Sequence, residues 1–239
     1  MTLYILTLFP EILTAYFQSS IMARAIEKRL IECHLVNIRD FAADKHKTCD
    51  DAPYGGGAGM VLKPKPLATA IESVKAGGSI RTVYPSPSGR LFSQKYAREL
   101  AREKALLIIC GRYEGIDQRI IDLYVDDEIS IGDYVVSSGE VSALVIIDTV
   151  YRLLEGIISN DSLKEESFEQ GLLEYPQYTR PDTFKEKRVP EVLLSGNHAK
   201  ITAWRLQKSL EKTLENRPEL LKEYVWSEKV KEIQKNMNT

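Results

Sequence analysis

The sequence has few of the residues that build metal centres and disulfide frameworks. Cys33, Cys49 and Cys110 are the only cysteines in 239 residues, odd in number, widely spaced and never in a CxxC pair. Neither a disulfide scaffold nor a zinc site is indicated, and a reducing, cytoplasmic setting is expected. The three histidines, His34, His46 and His198, show no ligand spacing such as HxxxH, which argues against a metal site built on them. Long apolar runs are also missing. The stretch Val141 to Ile147 falls far short of the roughly 20 residues a membrane span needs, and the N-terminal MTLYILTLFPE has no basic leader. No targeting or membrane segment is expected. There is no GxGxxG after the first strand and no GxxxxGK[ST] anywhere, which argues against dinucleotide oxidoreductases and P-loop NTPases. Nor is there a strong charge of one sign: the net charge of -2 argues against a protein that coats nucleic acid nonspecifically. That average hides an asymmetry, because residues 171–239 carry 13 Lys and Arg against 10 Asp and Glu, while residues 1–170 carry 19 against 24. A polyanionic partner would prefer the C-terminal part.

The sequence does contain an alternation. LYILTLF, HLVNI, IRTVY, ALLIIC and EISIG read as strands, interleaved with helical SSIMARAIEKRL, PLATAIESV, SQKYARELARE, DQRIIDLY and a long helix from about Glu140. This is the pattern of an α/β protein with a mainly parallel sheet covered by helices on both faces. Ligands of such sheets sit in loops at the carboxyl ends of strands. Three loops hold that position: YPSPSG (84–89), CGRYEGID (110–117) and SIGDYVVSSGE (130–140). The polar segment 159–171 reads as a flexible interdomain linker between a domain of residues 1–158 and a small helical domain of residues 172–239. In the latter, Trp204, Leu206, Leu210 and Leu214 fall near helical spacing, and Pro218 opens a further helix carrying Leu221, Val225 and Ile233.

Each motif has a plain reading beside a chemical one. YGGGAGM (54–60) is either a flexible turn or backbone that approaches a ligand closely. The prolines of YPSPSG suit an ordinary turn, or a wall that offers carbonyls and Ser86 outward. In CGRYEGID, Asp117 is placed to cap the next helix, and the charged and aromatic Arg112, Tyr113 and Glu114 suggest recognition. Ser137 with Glu140 three residues on reads as a capping box. Asp148, Arg152 and Glu155 read as a solvated ion-pair face contributing about 0.3–0.5 kcal/mol per pair.

PYGGGAGM, YPSPSGR, CGRYEGID, SIGDYVVSSGE, QYTRP and LLSGNH, in this order, together resemble the bacterial tRNA (guanine-N1)-methyltransferases that act on guanosine 37. The resemblance runs from LTLFPE to RPELL. That family belongs to the SPOUT methyltransferases, so the resemblance implies a deep trefoil knot, which ordinary chain-path rules would not suggest. It also implies S-adenosylmethionine as methyl donor, a tRNA substrate, a magnesium requirement with no dedicated motif to hold the ion, and a homodimer with the active site at the interface. Carried over residue by residue, it places Tyr84, Pro85, Ser86 and Pro87, then Gly111, Tyr113, Glu114 and Gly115, then Ile131, Gly132, Asp133, Tyr134, Val135, Val136, Ser138 and Gly139 around the cofactor. It makes Arg152 the group that stabilises guanine O6. The general base, a linker aspartate in the family, corresponds to Glu166 in a linker one residue shorter, with Glu165 beside it as the alternative. Ser138 stands where the family usually has Gly, and Glu174 and Gln177 where it usually has Asp and His. Arg180, Lys185, Lys187, Arg188, Lys200, Arg205, Lys208 and Lys212 offer cations for phosphates. Two rival readings remain at this point: a relative that methylates ribose or another base, and a noncatalytic RNA-binding protein that keeps the fold.

Overall fold

Residues alternate across β1 (Thr2–Thr7): Leu3 and Ile5 join one apolar cluster, Tyr4 and Leu6 another. This places the strand in the middle of a sheet covered on both faces. The computed structural model describes residues 1–169, 171–222 and 224 and divides the chain into two compact units, 1–158 and 159–239.

In the first unit the chain follows β1 with α1 (Pro10–Phe17), α2 (Ser20–Glu27), β2 (Glu32–Asn37), the short hairpin β3 (Asp50–Asp51) and β4 (Val61–Leu62), and α3 (Pro64–Lys75). It continues through β5 (Arg81–Leu91), α4 (Gln94–Leu100), β6 (Ala105–Ile109), α5 (Gln118–Tyr124), β7 (Asp127–Ser130) and α6 (Gly139–Tyr151). Five strands form one sheet in the order β2-β1-β6-β5-β7, and every pairing in it is parallel. Leu106 and Ile108 of β6 extend the first cluster under α1, α2, α4 and α6. Leu107 and Ile109 extend the second under α3 and α5.

α1 was not expected: LYILTLF reads as a strand to Phe9, but β1 ends at Thr7 and Pro10, whose missing N–H costs nothing at a helix start, opens the helix. In α6, burial of Ile146, Ile147 and Val150 contributes about 1.5–3 kcal/mol each. That is several times what a surface ion pair supplies, so packing rather than the Asp148–Arg152 spacing holds this helix. Asp148 accepts a hydrogen bond from the Tyr16 hydroxyl of α1.

The second unit contains α7 (Asn160–Lys164), a hairpin of β8 (Thr183–Phe184) and β9 (Lys187–Arg188), α8 (Glu191–Leu194), α9 (His198–Asn216) and a 3-10 turn at Pro218–Lys222. Leu172 and Leu210 form its buried centre, with Leu206, Leu221 and Tyr224 packed against them. The segment read as a linker groups with this unit and carries α7, whose first turn is capped by Ser159 accepting from the Ser162 N–H. The expected helix after Pro218 is a 3-10 turn, and Val225 and Ile233 lie outside the described residues.

Candidate active site

The three loops meet. The first is not the simple strand exit the sequence suggests. Pro85 and Arg90 both sit opposite Ile129 of β7, so residues 86–89 leave β5 as an excursion and the strand then resumes. Gly89 closes that excursion where a Cβ would lie 2.4 Å from the backbone of Glu128 and Ile129. The second loop follows β6, and Asp117 ends it by accepting from the Arg119 N–H, as the capping pattern requires. The third follows β7 and leads into α6.

Together they wall a cavity of about 310 Å3. Tyr84, Pro85, Ser86 and Pro87 line it with Gly111, Tyr113, Glu114, Gly115, Ile131, Gly132, Tyr134, Val135, Val136, Ser138 and Gly139. Of the residues expected in these loops only Asp133 is absent from the lining, and its side chain faces solvent. The cavity adds Arg112, Ile129, Ser130, Ser137 and Ser142. Its walls are tight at Gly139, where a Cβ would meet the Gly111 nitrogen at 2.5 Å, and the Gly139 N–H donates to the Gly111 carbonyl at 2.9 Å. Tyr84 is buried with its ring against Gly111 and Gly115. Burial raises its phenol above the ordinary range, partly offset by a hydrogen bond with the Ile116 backbone, so it stays neutral. Tyr113 holds φ at 56°, in the left-handed region that non-glycine residues seldom adopt.

The glycine-rich segment does not line the cavity. It rests on the second loop: the Glu114 N–H donates to the Met60 carbonyl at 3.0 Å, and the Leu62 N–H to the Gly115 carbonyl at 3.0 Å.

The capping box does not form. Ser138, not Ser137, occupies the cap of α6, and its side chain makes no capping hydrogen bond. Glu140 turns inward and is 0% exposed. It accepts from the Thr7 hydroxyl at 2.6 Å and lies 3.1 Å from Arg112 Nε, whose guanidinium stacks 4.4 Å from the Phe9 ring centre. The contact is an ion pair without an aligned hydrogen bond, and neither Arg112 Nε nor Glu140 Oε2 has another partner. Nothing in the local pattern S-S-G-E separates a capping glutamate from one drawn inward, because its partners are 28 and 133 residues away. Cys110 lies beside this pair, and burial, reinforced by the Glu140 charge, pushes its thiol well above the ordinary range; it is no nucleophile.

Arg152 is the C-cap of α6 in the first unit. Glu166 belongs to the second, where it borders a separate cavity of about 200 Å3 with Lys164, Glu165, Tyr175 and Arg205. Glu165 is committed there: it accepts from the Tyr175 hydroxyl at 2.5 Å and pairs with Arg205 at 3.3 Å. Two further α9 cations are likewise engaged. Lys208 pairs with Glu211, and Lys212 donates to the Glu174 carbonyl. On the hairpin, Lys185, Lys187 and Arg188 are exposed. Among the described residues no group of three or more His, Cys, Asp or Glu side chains could hold a metal ion, and no helix is long and apolar enough to cross a membrane.

The family model for tRNA (Guanine-1)-methyltransferase TrmD matches residues 1–223. A tRNA (guanine-N(1)-)-methyltransferase of Treponema denticola is 61% identical over 235 residues, 97% of this chain and 96% of the relative. Those of Treponema pallidum and Borreliella burgdorferi are 60% and 59% identical, covering 92% of this chain in each case and 88% and 93% of the relatives. On a match of this extent, joined to the three-loop cavity at the sheet's carboxyl edge, the chain belongs to the tRNA (guanine-1)-methyltransferase family of enzymes.

Proposed function

We propose that this enzyme transfers a methyl group from S-adenosylmethionine to N1 of guanosine 37 in tRNA. The observation that carries the reading is the convergence of three sequence-distant loops on one cavity at the carboxyl ends of β5, β6 and β7. The residues fit the cofactor. Glycine backbone at 111, 115, 132 and 139 offers amides and carbonyls at close range, Ile131, Val135 and Val136 offer apolar surface for a ring, and Glu114 supplies a carboxylate for a cationic end.

When bound, the cofactor supplies an electrophilic methyl carbon on a sulfonium, which leaves as a neutral thioether. The protein's task is then to make N1 nucleophilic and to hold it in line. N1 carries a proton, and removing it places negative charge on the ring that spreads to O6. Glu166 takes that proton, and the Arg152 guanidinium stabilises the charge on O6. No cluster of three or more His, Cys, Asp or Glu side chains among the described residues would hold magnesium by itself.

The proposal extends to the architecture. Residues 1–158 form a knotted cofactor-binding domain of SPOUT type, 159–171 a linker that orders over the extruded guanosine, and 172–239 a helical domain that binds tRNA. Extrusion is needed because N1 lies on the pairing edge of the base. The proposal includes a homodimer with its active sites at the interface, as the sequence resemblance implies. Free thiols at Cys33, Cys49 and Cys110 suit a cytoplasmic enzyme. Incubating the enzyme with methyl-labelled S-adenosylmethionine and unmodified tRNA tests the reading: label should enter the RNA, and binding of the cofactor without transfer would leave only an RNA-binding protein.

A further inference from the structure

We propose that Glu140 is a positioning residue for the cofactor cavity, holding Arg112 and the 111–115 loop in the conformation that forms one wall. The proposal rests on reading that cavity as the S-adenosylmethionine site. A carboxylate at 0% exposure is costly to keep charged unless it is paired. Here its two oxygens are divided between elements far apart in the sequence. Oε1 accepts from Thr7 at the end of β1, and Oε2 faces Arg112 in the loop after β6, while Glu140 itself stands in the first turn of α6, where the helix dipole favours an anion. The Thr7 hydroxyl in turn accepts from the Phe9 N–H at 2.9 Å, and Phe9 presents its ring to the Arg112 guanidinium. The clamp therefore closes on itself.

The contact between Arg112 and Glu140 lacks an aligned hydrogen bond, and their facing atoms have no other partner, so charge, together with the Phe9 ring, holds the arginine in place. Arg112 borders the cavity, and its immediate neighbours Gly111 and Tyr113 do too. Gly111 is in addition the residue against which Gly139 closes. Loss of the charge would free Arg112 to swing, and the loop would lose the conformation in which Gly111, Tyr113, Glu114 and Gly115 face inward together. Glu140 touches no substrate; it acts through Arg112.

Glu140→Gln keeps the side chain's volume and an acceptor for Thr7 while removing the charge. With the full chain, affinity for S-adenosylhomocysteine is measured by calorimetry, and methylation kinetics are followed with varied S-adenosylmethionine at saturating tRNA. The expected result is a rise of about tenfold or more in the dissociation constant and in KM for S-adenosylmethionine, with kcat changed by less than about threefold, the pattern of lost ground-state binding. Wild-type values of both constants, with or without a lower melting temperature, would overturn the proposal and leave Glu140 a structural residue. If the single variant does not fold, Glu140→Gln with Arg112→Gln removes both charges and leaves no buried ion unpaired. That double variant should show the same rise in KM, and wild-type KM would equally overturn the proposal. A wild-type chain that binds no S-adenosylhomocysteine would remove the reading of the cavity itself, an outcome distinct from failure of the variants.

Discussion

Single residues set the tolerances of this site. A methyl group at position 139 would press on the Gly111 backbone at 2.5 Å, not on a side chain that can move away. Gly139→Ala is expected to cost about 1–3 kcal/mol in chemical denaturation, as overpacking does, and to weaken binding of S-adenosylhomocysteine; unchanged stability and affinity would mean that the two loops are not in contact. Glu165 and Glu166 are neighbours with different expected behaviour. Glu166→Gln should lower kcat by about 100-fold or more, the scale of a lost general base. Glu165→Gln should retain transfer, because its carboxylate is spent on Tyr175 and a partly exposed ion pair with Arg205 that contributes less than about 1 kcal/mol. A reversal of these two results in single-turnover assays would move the base to Glu165.

At the scale of elements, the acid end of stability falls on the junction of β5, β7 and α4. Asp127 accepts from Arg81 Nε at 2.6 Å and from the Tyr96 hydroxyl at 2.5 Å. Burial alone would raise its carboxyl, but these two partners outweigh it and hold Asp127 below the ordinary carboxylate range. A group depressed in the folded state stabilises fully above its unfolded pKa of about 3.9 and loses that contribution as pH falls through the folded value. Asp127→Asn should therefore be less stable than wild type at pH 7, and the gap should narrow below about pH 4; a gap constant with pH would show that the charge is not what matters. The strands and most helices of the first unit were legible because period-2 and helical patterns are local. Helix α1 was hidden because LTLFPE joins a strand exit and a proline start without a turn signal. The excursion at 86–89 was hidden because its prolines read as a strand end, whereas Ile129 of β7 supplies the pairing that lets β5 resume at Arg90. The Glu140 clamp was illegible for a similar reason, since its partners come from β1 and the loop after β6.

Across the whole molecule, composition tilts towards cations in the C-terminal part without saying which of them would meet a polyanion. The helical face of Arg205, Lys208 and Lys212 is taken up by Glu165, Glu211 and the Glu174 carbonyl, while Lys187 and Arg188 of β9 stand exposed. Replacing Lys187 and Arg188 by Ala should weaken tRNA binding and reduce the slope of log K against log salt by about 1–2. Lys208→Ala should bind nearly as wild type in the same filter assay, and the opposite ranking would return the phosphate contacts to α9. The family and its enzyme activity follow from the sequence matches, and the three-loop cavity is the place proposed for the cofactor. The most direct test of the account is to digest tRNA methylated by this enzyme and locate the methyl group by mass spectrometry. It is expected at N1 of guanosine 37 and absent when that guanosine is replaced by adenosine; a methyl group on ribose, or on another nucleotide of the same tRNA, would contradict the account.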